Sequence, residues 1–175
     1  MYQRMISLVI AAVALFAIAC GGTGSGKAGG SKADGDYAKR ASKFRRNMGT
    51  CRKNQFTDAL TQILFTKHNF QDSGDTRDLR QQVEYRTEWK PRFPFDDEKA
   101  LGIVKVESKI VVGAKSSGSI ASLSGEASFK AYLEAENRVK YANSVDWQPG
   151  PMTAEAKKYF RNIADDMEQQ FKSAF

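Results

Sequence analysis

The chain has 175 residues, 41% hydrophobic and 27% charged, with two cysteines and one histidine. That length supports one ordinary core, and so few cysteines and histidines exclude a disulfide-built scaffold and leave a zinc site almost nothing to use. The formal charge of +7 suggests nucleic acid until it is located: residues 54–175 carry 17 Lys and Arg against 18 Asp and Glu, so the excess lies upstream and nucleic acid is not expected as a partner.

Arg4 precedes an apolar run, Ile6 to Ala19, of 14 residues. That matches a secretory signal core and falls short of the ~20 residues that cross a bilayer. The run closes on Ala17-Ile18-Ala19-Cys20, followed by Gly21-Gly22. This segment resembles the lipobox of bacterial lipoproteins, with Ala17 where Leu is usual. The resemblance covers residues 1–22. It implies that 1–19 is a signal peptide and that Cys20 is acylated and becomes the N-terminus. It also implies sorting to the outer membrane, lipid-anchored and facing the periplasm, because Gly21 and not Asp follows the cysteine. An uncleaved anchor and an ordinary cleaved signal are the alternatives. With Cys20 acylated, no intramolecular disulfide remains. Cys51 is then an inert buried thiol or a link to a partner.

Residues 20–36 read as a Gly/Ser/Lys/Ala tether, whose 16 residues from Gly21 to Asp36 reach roughly 20–24 Å as a flexible chain. Gly21 to Lys27 has the spacing of a phosphate-binding loop, but Ala28 stands where Ser or Thr must hold magnesium, and no strand precedes it. No nucleotide, metal or other cofactor is expected.

Residues 37–53 form a basic, membrane-proximal segment: Lys39, Arg40, Lys43, Arg45, Arg46, Arg52 and Lys53, with no acidic residue among them. Tyr37, Ala41, Phe44, Met48 and Cys51 are spaced by four, three, four and three, which predicts an amphipathic helix capped by Asp36 and stopped near Gly49. Such a helix would lie on an anionic surface beside the lipid anchor, with an anionic patch on a partner protein as the rival target and packing of the stripe on the domain as the alternative.

A single domain is expected over 54–175. Phe56, Ala59, Leu60, Ile63 and Leu64 predict a helix. The aspartates Asp72, Asp75 and Asp78 fit a turn and lack calcium-loop spacing. Alternation from Leu79 to Trp89 predicts a strand that turns Leu79, Gln81, Val83, Tyr85, Thr87 and Trp89 to one face, with Pro91 ending it. Val104, Val106, Ser108, Ile110, Val112 and Ala114 are the inward set of the next strand. A turn at 116–119 and a weak strand at 120–124 follow. Residues 127–141 have helix-prone composition but strand periodicity. The periodicity decides for strand, in one piece or broken near 135–137. After the break at 147–151, Thr153 caps a helix whose stripe is Ala156, Tyr159, Phe160, Ile163, Ala164, Met167 and Phe171. The sum is an α+β two-layer sandwich, with an antiparallel sheet of three to five strands packed by N-terminal and C-terminal helices.

Chemistry is thinly represented. His68 has no second histidine and no nucleophile-elbow serine to work with. Glu134 and Glu136 share an exposed strand face with Lys130, Arg138 and Lys140. The one binding-type motif is Trp89-Lys90-Pro91-Arg92-Phe93-Pro94-Phe95, which offers Trp89, Arg92, Phe93 and Phe95 as partner contacts. The expectation is a non-catalytic lipoprotein serving as accessory or scaffold subunit of an envelope assembly, with the membrane and an envelope protein as partners. The alternatives are a carrier or sensor with a ligand between helix and sheet, lined by Tyr85, Trp89, Phe129 and Tyr141, and an envelope hydrolase built on His68.

Overall fold

The computed structural model describes residues 42–79, 81–116 and 128–173. The chain is α+β: a seven-stranded antiparallel sheet with its helices on one face. The strands are β1 (Lys43–Cys51), β2 (Arg77–Leu79), β3 (Gln82–Arg86), β4 (Lys90–Arg92), β5 (Ile103–Ser116), β6 (Phe129–Tyr141) and β7 (Gln148–Pro149). Their order is β1-β6-β5-β3-β2; β4 continues the β3 edge along β5, and β7 continues the β1 edge along β6. The helices are α1 (Lys53–Ala59, prolonged as a π-helical stretch Leu60–Lys67), α2 (Asp96–Lys99) and α3 (Ala154–Ser173). Thr153 Oγ1 accepts from Ala156 N–H at 3.3 Å and caps α3 as expected.

One core joins the helices to the sheet. Phe56, Leu60 and Leu64 of α1 and Phe160, Ile163, Ala164 and Met167 of α3 meet Ile110, Val112 and Leu133, each at most 1% exposed. Strand β6 is continuous through 135–137, so periodicity beat the helix-prone composition of Ala, Glu and Lys.

Several expectations are corrected, most of them by one extra residue in a strand. Residues 43–51 are not an amphipathic helix but edge strand β1, paired from Lys43↔Glu136 to Cys51↔Phe129. The domain therefore begins before residue 54. The register slips between Asn47 and Gly49, where Gly49 adopts φ +86°. A regular strand would face Cys51 away from Phe44 and Met48. The bulge restores it, so spacings of four and three bury one side of a strand.

Second, the stretch 79–89 is a hairpin and not one strand, with Leu79↔Gln82 closing it. Third, β3 ends at Arg86↔Val111 while β4 starts at Lys90↔Ser108, four residues against three. Thr87 bridges the gap, accepting Ile110 N–H on its Oγ1 at 2.9 Å. The extra residue reverses the pleat. Trp89 leaves the Val83 face, and Pro91 sits inside the short edge strand and does not end one. A slip between Ile103 and Lys105 likewise turns Val104 outward, 50% exposed, and buries Ile103. The segment 117–127, where a turn and a weak strand were expected, lies outside the described residues.

Candidate functional site

The reversed pleat builds the site. It directs Arg92 inward and Trp89 outward. The Arg92 guanidinium grips Glu98 of α2 through two bonds of 2.6 and 2.7 Å, and its Nε donates to Ser108 Oγ at 3.0 Å. Glu98 is fully buried; its Oε2 also accepts Phe95 N–H at 2.9 Å. Ser108 Oγ passes the chain on to Asn137 Oδ1 at 2.8 Å. The Arg92 plane lies 4.2 Å from the Phe95 ring, which packs on Tyr159 of α3. Arg92 and Phe95 are thus the fastening of the loop. Phe93, between them, is 91% exposed.

On the open face a cation–aromatic ladder forms. Arg138 lies 4.6 Å from Trp89 and 5.0 Å from Trp147, with Lys109 at the Trp89 end and Lys140 at 5.1 Å from Trp147. Glu107 holds Arg138 at 2.5 Å. Beside the ladder, Pro91, Phe93, Val104 and Trp147 line an open groove of about 670 Å³. Sequence reasoning found Trp89 and Phe93 but missed Arg138, Val104 and Trp147. Only the bulges bring these together, and Trp147 read simply as part of a chain break.

The basic segment is largely occupied within the fold. Arg46 pairs with Asp165 at 2.5 Å and Glu168 at 3.1 Å on α3. Arg45 meets Glu134 at 3.3 Å, Lys43 meets Glu136 at 3.8 Å, and Lys53 meets Asp78 at 2.9 Å. Arg52 precedes α1, and its N–H donates to Gln55 Oε1 at 2.8 Å. Cys20, Lys39 and Arg40 lie outside the described residues. Glu134 and Glu136 are the ion-pair partners of Arg45 and Lys43 on β1.

His68 Nε2 meets Asp166 Oδ2 at 2.8 Å, and Lys67 holds the same oxygen at 2.9 Å. Burial pushes the Asp166 carboxyl up, but the Lys67 and His68 bonds outweigh it and hold it below the usual carboxylate range. Glu84 behaves likewise: burial raises it, and the bonds from Arg86 and Tyr132 outweigh burial and lower it. A lowered folded value contributes stability that is fully present above the unfolded value, roughly pH 4, and lost as pH falls through the folded one. Unfolding free energy is therefore expected to be flat near neutrality and to drop below about pH 4. Asp166→Asn should shallow that drop in a urea titration at each pH.

Cys51 is 4% exposed, and burial pushes its thiol to about 11, which makes it unreactive at neutral pH. The residues considered as a carrier cavity lie apart. Tyr85 packs on Phe56 in the core, Trp89 is on the opposite face, and Tyr141 packs on Ile103, Val106 and Val139. Among the described residues no group of three His, Cys, Asp or Glu side chains is placed to hold a metal.

The open face of the sheet is organised around Tyr132. Its ring lies over Gly113, where a Cβ would come within 2.3 Å of it. Its hydroxyl donates to Glu84 Oε2 at 3.1 Å, and Arg45 approaches the ring at 5.2 Å and Lys115 at 5.9 Å. Burial, then the Glu84 bond, push its hydroxyl up to about 12. Gly113→Ala should swing the ring out and return that value toward the ordinary ~10, read by absorbance titration of the phenolate. An unchanged titration would mean the backbone yields and the ring does not.

No protein-family model matches the chain, and no characterised protein matches it in sequence. A solved structure of the uncharacterized conserved protein YugN from Geobacillus kaustophilus HTA426 superposes on 71% of this chain and 87% of its own, at 10% identity and a TM-score of 0.36.

Proposed function

We propose that this chain is a non-catalytic lipoprotein of the cell envelope, anchored at Cys20 in the outer membrane on its periplasmic side. It serves as accessory subunit of an envelope assembly and offers the open face of its sheet to a protein partner. The observation that carries the partner surface is the one-sidedness of the sheet. Both long helices pack on one face. The other carries an ordered lattice of Arg45–Glu134, Lys43–Glu136, Arg86–Glu84 and Arg138–Glu107 around the buried Tyr132. A patterned charge lattice favours register and specificity over raw affinity. The lipid anchor is supported by the lipobox-like run that ends at Cys20.

The test is in-cell crosslinking of the full-length chain, with mass spectrometry of its N-terminus and of the proteins captured. An acylated Cys20 and a stoichiometric envelope protein, lost on Tyr132→Ala with Glu134→Lys, is the expected result. An intact Met1 ends the anchor reading. A captured protein indifferent to both substitutions ends the sheet-face reading.

A further inference from the structure

The exposed large apolar side chains of the described residues are Phe93, Leu101, Val104 and Val145, at 91%, 53%, 50% and 86% exposure. All four belong to one end of the sheet, where β5 begins opposite the end of β6 at Ile103↔Tyr141. Phe93 leaves β4 there, Leu101 precedes β5, and Val145 lies in the turn after β6. Phe93, Leu101 and Val145 project from separate turns and Val104 from the start of β5; of the four, Phe93 and Val104 line the groove beside Trp147. Three of those turns are short and pinned: Arg92 and Glu98 hold the Phe93 loop, Gly102 N–H bonds Lys99 O at 2.8 Å, and Ser144 N–H bonds Tyr141 O at 3.0 Å.

We propose that this end of the sheet docks into the interfacial layer of an anionic phospholipid bilayer. Three observations favour lipid over a protein partner. First, the apolar projections are ringed by amphipathic and basic side chains. Trp147 is half-buried, and Lys105 and Lys140, paired in register at this end, make no ion pair among the described residues. Glu107 is taken by Arg138 and Asp96 by Lys99, while Asp97 and Glu155 accept only backbone N–H groups of each other's elements and Asp146 lies in the turn, so these three are the acidic exceptions at this end. Tryptophan and snorkelling lysine around projecting aliphatic and aromatic groups is the chemistry of a bilayer boundary. Second, the ladder keeps the cations beside the projections, where anionic headgroups would meet them. Third, the length of chain between Cys20 and the first described strand is enough to reach this end. Lys43 pairs with Glu136, five residues before Tyr141, so β1 starts about 17 Å from it at ~3.3 Å per residue. The residues between Cys20 and Ser42 span that distance several times over at ~3.3–3.6 Å each. The acyl anchor and the docking end would thus share one membrane. The inference rests on the anchor reading for this third support and for which membrane this is; the first two observations stand without it.

The test uses the full-length chain with Trp89→Phe, which leaves Trp147 as the sole tryptophan. The protein is reconstituted into vesicles of phosphatidylethanolamine and phosphatidylglycerol with bromine near the headgroup end of the acyl chains. Trp147 emission is expected to fall roughly twofold against unbrominated vesicles, as for an indole at the interface. Phe93→Ser with Val145→Ser should restore it. A second reporter, Phe93→Trp with both native tryptophans changed to Phe, should be quenched likewise. Acylated Cys20 with neither reporter quenched overturns the inference. So does a captured envelope protein that shields both reporters without lipid quenching. Unacylated Cys20 with quenched reporters removes the anchor and leaves the docking surface standing.

Discussion

Replacing Glu98 by Ala is expected to lower the unfolding free energy by about 3–5 kcal/mol, because it strands the Arg92 guanidinium in the interior. Arg92 is only 10% exposed, and Glu98 is its sole carboxylate partner among the described residues. The loss would spread. Phe95 N–H loses its acceptor, the Arg92–Phe95 contact loosens, and the Phe93 loop is freed. Urea unfolding of the two proteins measures the first effect. Arg92→Lys should recover little, since an ammonium cannot make the two parallel bonds to Glu98 or lie flat on Phe95. A Glu98→Ala protein as stable as the parent would mean that water reaches Arg92 and that the loop is not fastened as described.

The same pair separates what the sequence disclosed from what it hid. Helix α3, strand β6 and the inward set Val106 to Ala114 were legible, because each keeps one period over many residues. The error at 43–51 came from a bulge. An even spacing followed by an odd one is what a helix writes, and only Gly49, at positive φ, hints at the strand reading. The hairpin between β2 and β3 was hidden because Asp78-Leu79-Arg80-Gln81-Gln82 has none of the Gly, Pro or Asn that announce tight turns. The site itself was half legible. The aromatic and proline run from Trp89 drew attention, yet Arg92 and Phe95 bind inward while Phe93 faces out. Which residue does which depends on the pleat reversal at Thr87, and no local pattern records it. Partners distant in sequence, such as Arg46 with Asp165, were beyond any single-chain periodicity.

Phe160→Ala is expected to cost about 3–5 kcal/mol, the range for emptying a buried aromatic site. The Phe160 ring is inaccessible to solvent, 6.0 Å from Phe44 on β1 and 5.1 Å from Tyr159 beside it. Its loss unseats α3 from the strand through which the chain joins the domain. Phe93→Ser, by contrast, should change stability by no more than about 0.5 kcal/mol, since the side chain already sits in water. The two variants are informative together. If the projecting end is a docking surface, Phe93→Ser abolishes lipid quenching of Trp147 at unchanged stability. Phe160→Ala lowers the urea midpoint but leaves the quenching intact below its own transition. Should Phe93→Ser prove as destabilising as Phe160→Ala, the ring would be supporting the core. The exposed end would then be a structural edge and not a surface for another molecule. A fold that spends an exposed phenylalanine where serine would do, and fastens it with a buried ion pair, predicts the first outcome.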